Sequence, residues 1–305
     1  MSLTTFLVRQ TFRAGDKKRD AGLTTPAGIE RRDDICYGSD RHWQVLDMYR
    51  PKNAGGPLPV IVSIHGGGWT YGDKERYQYY CMDLALRGFA VVNFTYRVAP
   101  EWKFPSGLHD TCLVFQWLRE QKDCGWFDLG HVFAVGDSAG AHMLTIYCAA
   151  CGNPAYAQSL GLVIPRLDTG KPFLPQAVGL NCGVYAIDLE NGHALTKRLM
   201  HALLPSRGKD AEEVRLLNPV PFLSGDFPPS FIMTASHDDI AGPPSQKVLT
   251  EKLQALQVPF VDRTYGNASE MQNHVFHCDL RNPVGKQCND DECAFFRSFM
   301  EPKPR

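Results

Sequence analysis

The 305-residue chain lacks any long hydrophobic run. No apolar stretch approaches the ~18–20 residues that a membrane span requires, so no bilayer-crossing helix is expected. The opening segment, Met1 to Gln10, is apolar only briefly. Without a charged start followed by an apolar core, it does not read as a secretion signal. Excess charge is missing as well. With 32 basic against 33 acidic residues, the formal net charge is -1. A nucleic-acid or polyanion binder would need clustered Lys and Arg, so that class is set aside. There is no internal repeat and no low-complexity tract. Cysteine, by contrast, is plentiful, at ten residues. A disulfide framework belongs to much shorter secreted chains. Cys148 and Cys151 fall inside an apolar helical run and read as small buried side chains. Cys278, Cys288 and Cys293 lie near His274 and His277, but their spacing is irregular for a zinc site. Neither metal nor organic cofactor is expected, and a cytoplasmic location is.

From residue 44 onward, short apolar β-rich runs alternate with helical ones. Strands are predicted at Gln44–Tyr49, Pro59–Ile64, Phe89–Tyr96, His131–Val135, Ala177–Asn181, Phe231–Ala235 and Phe260–Tyr265. Helices are predicted at Tyr77–Arg87, Leu108–Glu120, Ala141–Ala150, Ser245–Leu256 and Asp291–Met300. This alternation implies an α/β fold with a largely parallel sheet, covered by helices on both faces. Residues 187–223 break the rhythm and read as an insertion carrying one helix, Leu195–Leu204. Residues 1–33 are polar and basic in places. They read as an arm, either a helical lid or a loose segment, before a domain at 34–305.

The most informative stretch is Gly136-Asp137-Ser138-Ala139-Gly140, because a strand precedes it and a helix follows. That context makes G-x-S-x-G a nucleophile elbow, with glycines that relieve a Cβ clash at the bend. A serine hydroxyl is a weak nucleophile and needs a base. Upstream, His65-Gly66-Gly67-Gly68-Trp69 follows the first long strand. Three adjacent glycines need a reason, and backbone N–H groups that hold an oxyanion supply one. The base should be a histidine after the elbow, with a carboxylate between. His274 lies in a loop-like stretch and His277 is its near rival. Asp238 and Asp239 follow a strand end and cannot be separated by pattern. Asp137 is badly placed to reach behind a histidine. His142 reads as packed, His65 as a support for the glycine loop, and His237 as a neighbour of the acid.

These motifs resemble the α/β-hydrolase superfamily and, within it, the hormone-sensitive-lipase-like and bacterial acetyl esterases. Tyr96-Arg97-Val98-Ala99-Pro100-Glu101, Phe104-Pro105 and Leu46-Asp47-Met48-Tyr49-Arg50-Pro51 are similar to further segments of that family. The likeness covers about residue 34 to the end. It implies an α/β-hydrolase fold with a small helical cap insertion, here 187–223, joined in part by the N-terminal arm. It also implies a Ser138, His274 and Asp238 triad, because His274-Val275-Phe276 matches the family's His-x-Phe and Asp238 aligns with its acid. Asp239 stands where the family has proline. The oxyanion hole implied is Gly67, Gly68 and Ala139. The expected substrate is a small-molecule ester with a short acyl group, such as an acetylated sugar, since Trp69, Tyr71, Tyr77, Tyr79 and Tyr80 could line a compact pocket. An amidase or formamidase, a peptidase, and a non-enzymatic binding protein on the same scaffold are the rivals. The oligomeric state is left open.

Overall fold

A computed structural model describes residues 3–300. The chain runs through α1 (Leu3–Arg19), β1 (Ile29–Cys36), β2 (Val45–Pro51), β3 (Leu58–Ile64), α2 (Lys74–Leu86), β4 (Ala90–Phe94), α3 (Ser106–Glu120), β5 (Phe127–Asp137), α4 (Ala139–Gly152) and α5 (Pro154–Ser159). It continues through β6 (Val178–Asn181), α6 (Ala194–Leu203), α7 (Ala211–Leu217), β7 (Ser230–Ala235), α8 (Pro243–Ala255), β8 (Phe260–Tyr265) and α9 (Pro283–Arg297).

The strands form one sheet in the order β1-β2-β4-β3-β5-β6-β7-β8. β1 and β2 pair antiparallel, β2 joins β4 antiparallel, and the pairs from β4 to β8 are parallel. The parallel strands are buried on both faces, which is why they are continuously apolar. On β3, Val60, Val62 and Ile64 face the larger core with α3, α4 and α8, while Ile61 faces the side packed by α2 and α9. α4 is apolar all round because it is buried from Ala139 to Cys151.

Several boundaries differ from the sequence reading. β1 contains Glu30-Arg31-Arg32-Asp33-Asp34, so the boundary expected at residue 33 falls inside a strand of the sheet. An edge strand keeps one flank in water, and charges there are tolerated and discourage edge-to-edge pairing. α9 begins at Pro283 rather than Asp291. The Asn282 side chain accepts from the N–H groups of Val284 and Gly285, and Pro283 occupies the first helical turn, a start signal that the reading did not use. The insertion carries α7 in addition to α6. No helix among the described residues is long and apolar enough to cross a membrane.

Candidate active site

At the end of β5 the chain turns through Ser138 into α4 with φ 51° and ψ −117° at the serine. This conformation is strained for any residue with a side chain and is characteristic of functional bends. The flanking glycines serve close approach, not positive φ. A Cβ on Gly136 would lie 2.6 Å from the Gly140 carbonyl carbon, and one on Gly140 would lie 2.0 Å from the Ile64 carbonyl oxygen. The elbow is fixed further by Ser138 N–H, which donates to the Asn181 carbonyl at 2.8 Å.

Asp238 and His274 reach the serine from two loops beyond β7 and β8. Beyond the ends of those strands, His237 and Asn273 form an isolated parallel bridge. His237 N–H donates to the Gln272 carbonyl at 2.8 Å. The next residue on each side is therefore Asp238 and His274, already abreast. His274 Nδ1 lies 2.8 Å from Asp238 Oδ2, and His274 Nε2 lies 2.9 Å from Ser138 Oγ. Asp238 Oδ1 accepts from the N–H groups of Ile240 and Ala241 at 2.9 and 2.8 Å. Burial alone would raise this carboxyl's pKa. The hydrogen bond and charge of His274, with the two amides, outweigh burial and hold it below the usual carboxylate value. Asp238 therefore stays ionised behind the imidazole. Asp239 instead lies 3.7 Å from His237 at the exposed surface.

The glycine loop approaches from the end of β3. Gly67 and Gly68 have φ of 115° and 59°. A Cβ on Gly67 would lie 2.1 Å from the Tyr71 carbonyl oxygen, and one on Gly68 would lie 2.8 Å from Leu199 Cδ1 of α6. Among the described residues, the N–H groups of Gly67, Gly68 and Ala139 have no hydrogen-bond acceptor. Ala139 supplies the first N–H of α4, which a helix leaves unpaired by construction. One residue earlier, Gly66 N–H donates to Asp137 Oδ1 at 3.0 Å, and Tyr77 Oη donates to Asp137 Oδ2 at 2.7 Å. Burial raises the Asp137 pKa to about 6. Asp137, set aside as the triad acid, thus ties the glycine loop to the elbow, a role that sequence reasoning missed.

The other histidines occupy separate places. His65 is buried, stacks on Tyr96 at 4.0 Å, and hydrogen-bonds through Nδ1 to the Gly66 carbonyl at 2.7 Å. His277 is buried against the Tyr80 ring, and burial lowers its pKa to about 3. His142 accepts from the Trp69 indole at 3.1 Å. Cys278 and Cys293 pack in one apolar cluster and Cys288 in another; Cys278 Sγ lies 3.6 Å from His277 Nε2, but the three thiols do not gather around the two histidines. Instead the Cys182 thiol, just past β6, sits with the facing atoms of Asp238 and His274 within 4.8 Å of one another. Nothing in the local sequence pattern marks it.

A cavity of about 550 Å³ opens over Ser138 and His274. Trp69, Tyr71 and Tyr77 line it, but Tyr79 and Tyr80 do not. Tyr79 Oη donates to the Leu23 carbonyl on another face of α2, while Tyr80, one turn beyond Tyr77 on the same buried face, packs in the core toward Glu292. α1 contributes Phe12, Asp16 and Arg19 to the wall, at intervals of four and three residues. Sequence reasoning missed these three; their spacing places them on one helix face, but their mixed apolar and charged types form no stripe that marks it. Tyr71 Oη donates to Asp16 at 2.7 Å, and Arg19 pairs with Asp16 and Asp20. Leu195, Thr196 and Leu199 of α6 close the opposite side.

Residues 46–253, more than half of the chain, match the BD-FAE family model. The chain belongs to the BD-FAE family. Its BD-FAE segment begins in β2 and ends in α8, and therefore contains the glycine loop, the elbow and Asp238. Among curated relatives, esterase LipQ of Mycobacterium tuberculosis is 24% identical over 213 residues, covering 67% of this chain and 48% of LipQ. Ethyl acetate hydrolase of Pseudomonas putida is 33% identical over 131 residues, covering 42% and 40%. Carboxylesterase NlhH of M. tuberculosis is 27% identical over 259 residues, covering 79% and 77%. The chain spans about half the length of first-ranked relatives such as LipQ. Esterase B of Lactobacillus rhamnosis shares the fold with a TM-score of 0.83 and 24% identity, over 98% of this chain and 97% of that one. The BD-FAE chain thus has the α/β-hydrolase fold, and its similarity to esterases and carboxylesterases agrees with the resemblance read from the motifs.

Proposed function

We propose that this protein is a serine carboxylic-ester hydrolase for small-molecule esters with short acyl groups. The observation that carries the reading is the unbroken hydrogen-bonded line Ser138 Oγ, His274 Nε2, His274 Nδ1, Asp238 Oδ2 at the floor of a cavity. In this mechanism His274 takes the Ser138 proton as Oγ attacks the ester carbonyl. The oxyanion forms against the N–H groups of Gly67, Gly68 and Ala139, each worth ~2.7–4 kcal/mol in the transition state. His274 then gives its proton to the departing alcohol, leaving the acyl group on Ser138. Water, deprotonated by His274, attacks that acyl-enzyme and releases the carboxylic acid. Asp238 holds the imidazole in the tautomer with its proton on Nδ1.

Residues 187–223 act as a cap in this reading, with the N-terminal arm completing the lid through α1. Phe12, Asp16 and Arg19 lend the cavity both apolar and polar wall, which suits a short acyl group on a polar alcohol such as an acetylated sugar. All ten cysteines are unpaired, which suits a reducing compartment such as the cytoplasm. A screen of p-nitrophenyl esters, acetylated sugars and N-formyl aromatics, with Ser138→Ala as control, tests the assignment. Ser138-dependent hydrolysis of short esters is the expected result. Faster turnover of N-formyl aromatics than of any ester transfers the chain to the amidases.

A further inference from the structure

Two cavities meet at Trp69. On one side lies the ~550 Å³ cavity over Ser138. On the other is a small void of about 20 Å³, walled by apolar side chains such as Tyr96, Met143 and Leu203 and also by Arg97, Lys103 and His142. That void is roughly the room of one water. The indole, 5% exposed, fills the space between them.

The ring is held where it is by a relay. An indole N–H can only donate, so His142 Nδ1 is the bare acceptor of the 3.1 Å bond from Trp69 Nε1. His142 Nε2 must then carry the ring proton, which it donates to the Leu217 carbonyl at 2.8 Å. Burial lowers the His142 pKa to about 4 and keeps it neutral. The far end of the relay is the last residue of α7, inside the 187–223 insertion. Trp69 also has φ 58°. A left-handed backbone is unfavourable for a bulky side chain and natural for glycine. The loop therefore keeps a tryptophan at a position where glycine would relieve strain, which points to a role for the ring itself.

The direction of the ester chain follows from the site. The leaving oxygen must face His274 Nε2 to receive its proton, and the carbonyl oxygen must face the glycine-loop amides. The remaining substituent, the acyl chain, is directed away from His274, and Trp69 is one of the apolar side chains of the cavity wall that it can meet.

We propose that Trp69, pinned by His142, is a plug that sets the longest acyl chain the enzyme accepts, and that the small void behind it is the unopened remainder of the acyl channel. This rests on the ester-hydrolase reading above and adds the residue that decides chain length. Removing the ring joins the two spaces and lengthens the room available to an acyl chain.

The test uses the full chain with Trp69→Gly, Trp69→Phe and His142→Leu. Two substrate series are compared: p-nitrophenyl esters from acetate to decanoate, and acetates of alcohols of increasing length. Wild type is expected to fall off beyond short acyl chains. Trp69→Gly should raise the decanoate-to-acetate ratio of kcat/KM by ~10-fold or more, with the alcohol series unchanged in shape. Trp69→Phe should retain the short preference, and His142→Leu should move part of the way. Phosphonate titration of reactive serines corrects for any unfolded fraction, and Trp69→Phe and His142→Leu keep the comparison alive if the glycine variant folds poorly. A uniform loss across all acyl lengths, or a shift confined to the alcohol series, overturns the plug. A wild type inert toward every ester removes the hydrolase reading itself, a different outcome from an active wild type whose profile ignores Trp69.

Discussion

The Tyr77 phenol and the Gly66 amide N–H both donate to the Asp137 carboxyl, so one buried side chain clamps the glycine loop to the serine elbow. The two candidate oxyanion donors in the loop, Gly67 and Gly68, follow directly from this anchor. Releasing it lets them drift, and small misplacements of catalytic groups cost on the order of 100-fold in rate. Tyr77→Phe and Asp137→Ala should therefore lower kcat by ~10–100-fold with little change in KM. Steady-state kinetics on a short ester check this; an unchanged kcat in both variants removes the clamp from the account.

Asp238→Asn should lower kcat by ~10⁴, because the amide supports the wrong imidazole tautomer. Asp239→Asn, at an exposed carboxylate facing His237, should change kcat less than about twofold. A drop of tenfold or less in Asp238→Asn, with a large drop in Asp239→Asn, would exchange their roles.

The meeting of Ser138 and His274 beside the glycine loop was legible in the sequence because an acyl-transfer site would demand fixed residue types at fixed spacings. The central strands were legible because burial on both faces forces them to be apolar. β1 was not, since Arg31, Arg32, Asp33 and Asp34 lie on an edge where charge is harmless. α1 hid for a related reason. Its cavity-facing Phe12, Asp16 and Arg19 mix apolar and charged types, so no apolar stripe announces them. The Asp238 and Asp239 ambiguity dissolves only in three dimensions, where the His237 and Asn273 bridge sets which carboxylate stands beside His274.

Gly140→Ala should be strongly destabilising. The new Cβ would meet the Ile64 carbonyl oxygen at 2.0 Å, a backbone atom of a central strand that cannot yield. A loss of ~3 kcal/mol or more is expected, at the upper end for single substitutions. Thermal unfolding measures it, and a Tm within a degree or two of wild type contradicts the packing described for the elbow.

Glu292 gives stability a pH dependence. Its carboxyl is buried on α9, where Asn181 Nδ2 donates to it at 2.9 Å and Tyr80 Oη at 3.3 Å. Burial raises its pKa from 4.5 to about 7. The folded state thus keeps a proton that the unfolded chain has released. Its contribution to stability is complete below about pH 4.5, declines as pH rises, and is lost above about pH 7. Glu292→Gln carries no such titration. Relative to wild type it should gain stability between pH 4.5 and 7, levelling off at ~3 kcal/mol. Urea unfolding at pH 4.5, 6 and 8 reads the difference; a gap that is flat with pH contradicts it.

The central claim is that Ser138 is a nucleophile activated by His274. Labelling with a fluorophosphonate, followed by mass spectrometry of the modified peptide, tests it most directly. The account predicts one adduct per chain, on Ser138, absent in Ser138→Ala and slowed by orders of magnitude in His274→Ala. No adduct on the wild type, or an adduct that persists in Ser138→Ala, would contradict it.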